Sequence, residues 1–274
     1  MRSGSAFNGT NKQPAVDQSQ ISGCDCSNSR GQLAVIGIGP GSALDMSPRA
    51  RNSIVGADVV VGYNTYLKLV EELITTQEII GTGMMQEVDR CSAAVEEAMK
   101  GKKVAVVSSG DPGIYGMAGL VLELVQQYPE GQRPEVVIIP GISAVGAAAA
   151  ILGAPLMHDF SVISLSDLLT PWELIKKRVE MAAAGDFVIA LYNPKSHRRV
   201  NQIEEVREIV LNHRSAATPV GIVNSASRPS ESMTIATLDN FTKEHIDMFS
   251  LVIIGNSQTY VKDGRMITPR GYKL

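Results

Sequence analysis

The stretch LAVIGIGPG, residues 33–41, decides the fold. Its first part, 33–38, is an apolar run of strand length. A run with no polar residue on either face marks a strand covered on both sides. Its second part, Gly37-Ile38-Gly39-Pro40-Gly41, is a turn of residues with special backbone preferences. The same pairing of apolar run and turn recurs along the chain. Candidate strands fall at 58–61, 104–108, 136–139, 160–165, 187–191, 220–223 and 251–254, with helical stretches between most of them. This alternation predicts an α/β protein built on parallel strands. A lobe boundary near 155–159 divides it into an N-terminal lobe, 32–156, and a C-terminal lobe, 157–274. Residues 1–31, rich in Ser, Gly, Asn and Gln, form a tail with no hydrophobic period and are expected to be disordered.

Helix signals agree with this alternation. Ser47-Pro48 offers an N-cap and a proline at the first helical position, and Gly56 can end that helix. Thr170-Pro171-Trp172-Glu173 has the pattern of a capping box.

Composition excludes several classes of function. A net charge of −3 and 5% aromatic residues argue against a nucleic-acid partner. The most apolar stretch, 144–157, is too short and too rich in Gly and Pro to span a membrane. Three cysteines, Cys24, Cys26 and Cys91, make no disulfide framework, so a reducing cytoplasm is the expected location. No spacing of His, Cys, Asp and Glu predicts a metal site.

Ligands of open α/β sheets bind beyond the carboxyl ends of the strands. Five strand exits carry turn residues: 37–41, 108–112, 140–143, 192–194 and 224–228. Together they predict one cleft walled mostly by main chain. The dinucleotide fingerprint fails in the first loop. Its glycines fall at 37, 39 and 41, so the third is one place early. Pro40 also removes an N–H that a phosphate would use. Asp111 in the second loop can accept hydrogen bonds from a ligand or cap the following helix.

Taken in order, these loops resemble the tetrapyrrole methylase family, the S-adenosylmethionine-dependent enzymes of corrin and siroheme synthesis. The motifs are GIGPG (37–41), ADVVVGY (57–63), SSGDPGIYG (108–116), PGISAVGAAAAILGAPL (140–156), FVIALYNPKS (187–196) and VIIGNS (252–257). Within the family, GTGMMQEVDRC (81–91), HDFSVISLSDLLTPWE (158–173) and ALYNPKSHRR (190–199) are most similar to the ring-contracting precorrin-3B C-17-methyltransferases. The resemblance implies a two-lobed fold, with a parallel-rich sheet in the first lobe and a mixed sheet in the second. It implies S-adenosylmethionine as methyl donor, S-adenosylhomocysteine as product, a precorrin as acceptor and a homodimer. Carried over by motif, the donor contacts are Pro40, Ser109, Gly110, Asp111, Ile114, Ser143, Ala144, Tyr192 and Ala226. Uroporphyrinogen-methylating relatives carry an Asp after the ADVV strand and a Lys in the next Gly-rich segment. This chain has Val61-Gly62-Tyr63-Asn64 and Gly81-Thr82-Gly83-Met84 there, so that acid–base pair does not transfer.

Methyl transfer from a sulfonium needs alignment and a dry pocket more than a nucleophile. Ring contraction adds proton handling, for which Tyr63, Glu87 and Tyr115 are candidates. A precorrin is a flat polycarboxylate. Arg90, Lys195, Arg198, Arg199 and Arg228 lie in or beside the loops and can pair with its carboxylates, or serve as solvated surface charge. Lys176-Lys177-Arg178 falls mid-helix, where a solvated face is expected, and His158 and His197 have no assigned role. Three alternatives remain at this point: a sister methylase acting on another acceptor, such as the diphthamide-forming branch or another precorrin position, a nicotinamide-dependent oxidoreductase, and a cofactor-binding regulatory module without catalysis.

Overall fold

The computed structural model describes residues 30–196 and 198–273. Nearly all of the expected tail, with Cys24 and Cys26, and also His197, lie outside the described residues.

The first lobe is a five-stranded sheet in the order β3-β2-β4-β1-β5. Its strands are β1 (Gln32–Gly37), β2 (Val59–Tyr63), β3 (Glu78–Thr82), β4 (Lys103–Ser108) and β5 (Glu135–Ile139). Every pair is parallel. β2, β4 and β1 are the inner strands, and in β1 and β4 each residue from Leu33 to Gly37 and from Val104 to Ser108 is buried. Helices α1 (Pro48–Val55), α2 (Asn64–Leu67), α3 (Glu87–Met99) and α4 (Ala118–Gln126) cover the two faces. α3 and α4 pack against Leu33, Val35, Val104 and Val106, while α1 and α2 pack against Ala34, Ile36, Ala105 and Val107. Alternate residues of one strand thus serve separate cores, which is why the runs carry no polar face. Ser47 caps α1 as expected, its Oγ accepting from the Ala50 N–H at 3.1 Å, and Gly56 ends it.

The second lobe is mixed. Its sheet runs β10-β9-β11-β8-β7, with β7 (Phe160–Ser164), β8 (Val188–Tyr192), β9 (Pro219–Asn224), β10 (Ser232–Thr237) and β11 (Ser250–Ile254). Only β7 and β8 pair in parallel. The β8–β11, β11–β9 and β9–β10 pairs are antiparallel. Reading every buried run as a parallel strand was therefore wrong for β11, which runs against both of its neighbours, and β9 runs the same way as β7 and β8 but has only antiparallel partners. They are buried on both faces because α6 (Trp172–Ala184) and α7 (Gln202–Leu211) cover one side and α5 (Ala144–Leu152) covers the other. Two-sided burial reports the cover, not the strand direction.

α5 falls inside 32–156 but packs on the second sheet. Val145, Ala148 and Leu152 bury against Val188, Ala190, Val223, Leu251 and Ile253. Beyond α5, β6 (Gly153–Ala154) joins a small sheet with β12 (Tyr260–Lys262) and β13 (Arg265–Ile267). The capping box at 170–173 does not form. α6 begins at Trp172, and Pro171, with ψ 136°, is itself the N-cap residue, without a side-chain cap bond. Thr170 is one residue too early to reach the orphan N–H groups. Among the described residues no helix is long and apolar enough to cross a membrane.

Gly221 of β9 lies directly under Leu152. A Cβ built there would stand 2.5 Å from both Leu152 methyl carbons. Leu152 is fully buried, so overpacking should cost about 1–3 kcal/mol. Gly221→Ala is expected to lower the melting temperature, and adding Leu152→Val should recover part of the loss. Calorimetric melting of the three variants checks this, and an additive double variant contradicts it.

Candidate functional site between the lobes

The exits of β1 and β4 remain joined after the strands end. The Gly39 N–H donates to Gly110 O at 3.2 Å, and the Gly110 N–H donates back to Gly39 O at 2.7 Å. Gly110 adopts φ 66°. Gly37 lies deeper, where a Cβ would come within 2.6 Å of Gly110 O and of Gly141 N. Three exits therefore meet backbone to backbone, and side chains are excluded by contact.

Asp111 stitches the second exit to the third. Its Oδ1 accepts from the Gly113 N–H at 2.8 Å and its Oδ2 from the Gly141 N–H at 3.1 Å. It does not cap α4, which begins at Ala118 with Met117 as cap residue. Ser143 caps α5, its Oγ accepting from the Gly146 N–H at 3.3 Å. The Val145 N–H donates to the Tyr192 hydroxyl at 3.0 Å, joining the β8 exit to the start of α5. Tyr115 reaches across from the first lobe and donates its hydroxyl to Val162 O at 3.0 Å, with its ring centroid 5.3 Å from that of Tyr192. Burial pushes the Tyr115 and Tyr192 hydroxyls above the ordinary phenol range, so both are protonated at neutral pH.

The fifth exit closes the ring. Arg228, after β9, donates Nε to Pro40 O at 3.0 Å and Nη2 to Ser109 Oγ at 3.3 Å. Ala226 and Ala144 are half-buried beside the α5 core, and Ile114 is exposed. The five predicted exits thus converge, and the predicted donor contacts lie in them, except Ile114 and Ala144, which lie just past the second and third exits.

Backbone strain marks the same place. Four of the seven described non-glycine residues with left-handed φ are Tyr115 (53°), just beyond the second exit, and Asn193 (49°), Ser225 (51°) and Ser227 (59°), in the fourth and fifth. Such conformations cost about 1–3 kcal/mol each and persist where the surroundings impose them, often at ligand sites. An open depression of about 520 Å³ between Gln32, Arg49, Asn52 and Lys103 lies at the opposite, amino ends of β1 and β4. It shares no residue with the loops.

The expected rim cations divide. Arg90 is not on a rim: it is 3% exposed, with Nε donating to Thr82 Oγ1 at 2.7 Å and Nη2 to Gly83 O at 3.0 Å. Arg199 is also buried, with Nη1 donating to Leu165 O at 2.7 Å and Asn193 O at 2.8 Å. Both brace loops because their donors are used within the chain. Lys195 is half-buried and Arg198 exposed. Lys177 and Arg178 are exposed on α6, half-buried Lys176 pairs with Glu173 at 2.8 Å and reaches Glu205 of α7 at 3.7 Å, and His158 is exposed.

The proton-handling candidates separate as well. Tyr63 ends β2 with the Arg90 guanidinium 5.9 Å from its ring centroid, and half-buried Glu87 opens α3. Tyr115 stands apart beside Tyr192. Tyr66, which the sequence reading passed over, packs edge-on against Tyr63 at 5.2 Å. Burial raises its hydroxyl pKa, and the Arg228 and Arg90 charges only partly offset that. The signal was its position three residues into the β2 exit.

The motif that matches the family model spans residues 32–242, and the model is that of the Tetrapyrrole (Corrin/Porphyrin) Methylases. The chain belongs to this family. It is 52% identical over 242 residues to the "Probable cobalt-factor III C(17)-methyltransferase" of Salmonella typhimurium, covering 88% of this chain and 100% of that protein. It is 51% identical over 246 residues to the "Cobalt-factor III methyltransferase" of Priestia megaterium, covering 89% of this chain and 46% of that protein. The chain thus spans about half the length of that second relative. Among solved structures, the methyltransferase CobJ superposes with a TM-score of 0.82 at 36% identity, covering 87% of this chain and 100% of that one.

Two expectations follow from the geometry. Asp111→Ala leaves the Gly113 and Gly141 amides without their carboxylate acceptor, so hydrogen exchange at both should accelerate, with Asp111→Asn intermediate; unchanged protection contradicts the staple. Burial pushes the Cys91 thiol, next to Arg90 and Met117, up to about 11 from an ordinary value of 9.0. The native pKa is raised, so this stabilisation is complete below about pH 9 and is lost as pH rises through 11. Melting temperature measured across that window should fall less steeply in Cys91→Ala than in the parent. Parallel curves sink the assignment.

Proposed function

We propose that this methylase transfers a methyl group from S-adenosylmethionine to C-17 of a precorrin-3-type ring, with ring contraction, in cobalamin biosynthesis. The observation that carries the donor site is the convergence of five strand exits on one point between the lobes. The walls fit such a donor. They are main chain at Gly37, Gly39, Gly110 and Gly141, and the close packing of backbone at Gly37 leaves no room for a side chain there. The family and the names of its close relatives support the ring substrate, and those names favour its cobalt-bearing form.

The bound donor supplies an electrophilic methyl on a sulfonium, which leaves as the neutral thioether. Pro40, Ser109, Gly110, Asp111 and Ile114 form one wall of its pocket, and Ser143, Ala144, Tyr192 and Ala226 the other. Holding donor and acceptor carbon in line can supply up to roughly 7–11 kcal/mol of the barrier. Lys195 and Arg198 are the rim cations whose charge faces carboxylates of the ring. Arg90 and Arg199 act indirectly, by fixing the 82–83 and 193 loop segments.

Tyr63, Glu87 and Tyr66 form the proton-handling group at the β2 exit. Tyr115 has its hydroxyl committed to Val162 O and aligns the wall instead. The two lobes, with α5 and β6 assigned to the second and not to 32–156, a homodimer and a cytoplasmic location complete the proposal.

Incubation with precorrin-3B and with its cobalt form, together with labelled methyl donor, should give a singly methylated product by mass spectrometry. Calorimetry should show S-adenosylhomocysteine binding that Asp111→Ala weakens about tenfold or more, equivalent to about 1.4 kcal/mol. No binding of the donor product at millimolar concentration refutes the donor site. Transfer only to a protein acceptor refutes the ring substrate.

A further inference from the structure

Arg228 is the one described residue of the second lobe whose side chain hydrogen-bonds to both the β1 and the β4 exits. Its partners there, Pro40 and Ser109, are themselves proposed walls of the donor pocket. The guanidinium lies 5.7 Å over the Phe249 ring, which fixes it from its own lobe. Gly41 makes room for its stem, because a Cβ at that position would collide with Arg228 Cγ. The loop beneath it is rigid. Ser225 and Ser227 hold left-handed φ of 51° and 59°, the Arg228 N–H donates to Ser225 O at 3.0 Å, and the Ser227 N–H donates to Glu231 Oε2 at 2.6 Å.

We propose that Arg228 is a positioning residue, a latch that holds the second lobe at the spacing the methyl donor requires. This rests on the donor reading above. Two walls that come from different lobes form a pocket only when their separation is fixed. Arg228 fixes it at the β1 and β4 exits, and Tyr115 ties the lobes at β7 through Val162. With the Tyr115 tie intact, loss of Arg228 loosens one wall without unfolding the protein. Its Nε and one Nη are turned to protein acceptors, so its first role is to shape the donor pocket and not to grip a carboxylate of the ring.

The test uses the full chain with S-adenosylhomocysteine as calorimetric probe, and methyl-transfer kinetics in both substrates. Arg228→Met keeps the stem and removes the donors. Arg228→Lys keeps one charged donor. Phe249→Leu removes the aromatic platform, and its ring is 53% exposed, so the fold should tolerate the change. The expected result is about tenfold or greater loss of probe affinity in Arg228→Met, partial recovery in Arg228→Lys, and about a two- to fivefold loss in Phe249→Leu. The donor KM should rise while the tetrapyrrole KM stays within about twofold.

Unchanged probe affinity in Arg228→Met and Phe249→Leu overturns the latch. So does a rise confined to the tetrapyrrole KM, which would make Arg228 a rim cation. If affinity falls only in parallel with melting temperature across all three variants, the role is merely structural and the latch is again overturned. If Arg228→Met does not fold, Phe249→Leu decides alone. Failure of the parent itself to bind the probe removes the donor reading, and the latch with it; binding by the parent with indifferent variants removes the latch alone.

Discussion

Two reciprocal hydrogen bonds between Gly39 and Gly110 hold the rest of this structure in register. They form an isolated antiparallel bridge beyond the end of the parallel β1–β4 ladder, so the two exits stay joined after the strands end. Because the sheet is parallel, both strands deliver their exits to the same side. The Gly141 N–H can then reach the Asp111 carboxylate, and the start of α5 follows from that position. A Cβ at Gly37 would separate all three loops at once.

The second lobe solves a different problem with the same strand composition. Its sheet has α6 and α7 on one face and α5 on the other. A helix that follows the last strand of the first sheet thus serves as the cover of the second. That arrangement places the N-terminus of α5, with Ser143 and Val145, where the two lobes meet.

The meeting of the strand exits was legible because it is made of backbone. Glycine, proline and small residues at strand exits state directly where main chain must approach a ligand, and GIGPG and SSGDPGIYG carry that message locally. The substrate side was less legible, because a cation near the cleft in sequence has no stated direction. Arg90 and Arg199 turn inward to carbonyls and a hydroxyl, while Arg198 stays in solvent. Tyr66 escaped notice because it lies one helical turn beyond its strand, outside the turn residues that drew attention. The strain at Tyr115, Asn193, Ser225 and Ser227 has no sequence signature, since none is a glycine.

The sequence by itself determined the alternation of buried strands with helices, the cap at Ser47, the cleft-lining loops and the family. Each is a local property, set by residue type and spacing. The tertiary structure alone decided the reversed direction of β11 between β8 and β9, the edge strands β3 and β10, the lobe that α5 covers and the partners of each arginine. These depend on contacts between residues far apart in the chain, such as Arg228 with Pro40 and Ser109. A buried run looks the same in either strand direction, and an arginine looks the same whether it faces solvent or a carbonyl, until the neighbouring elements are in place.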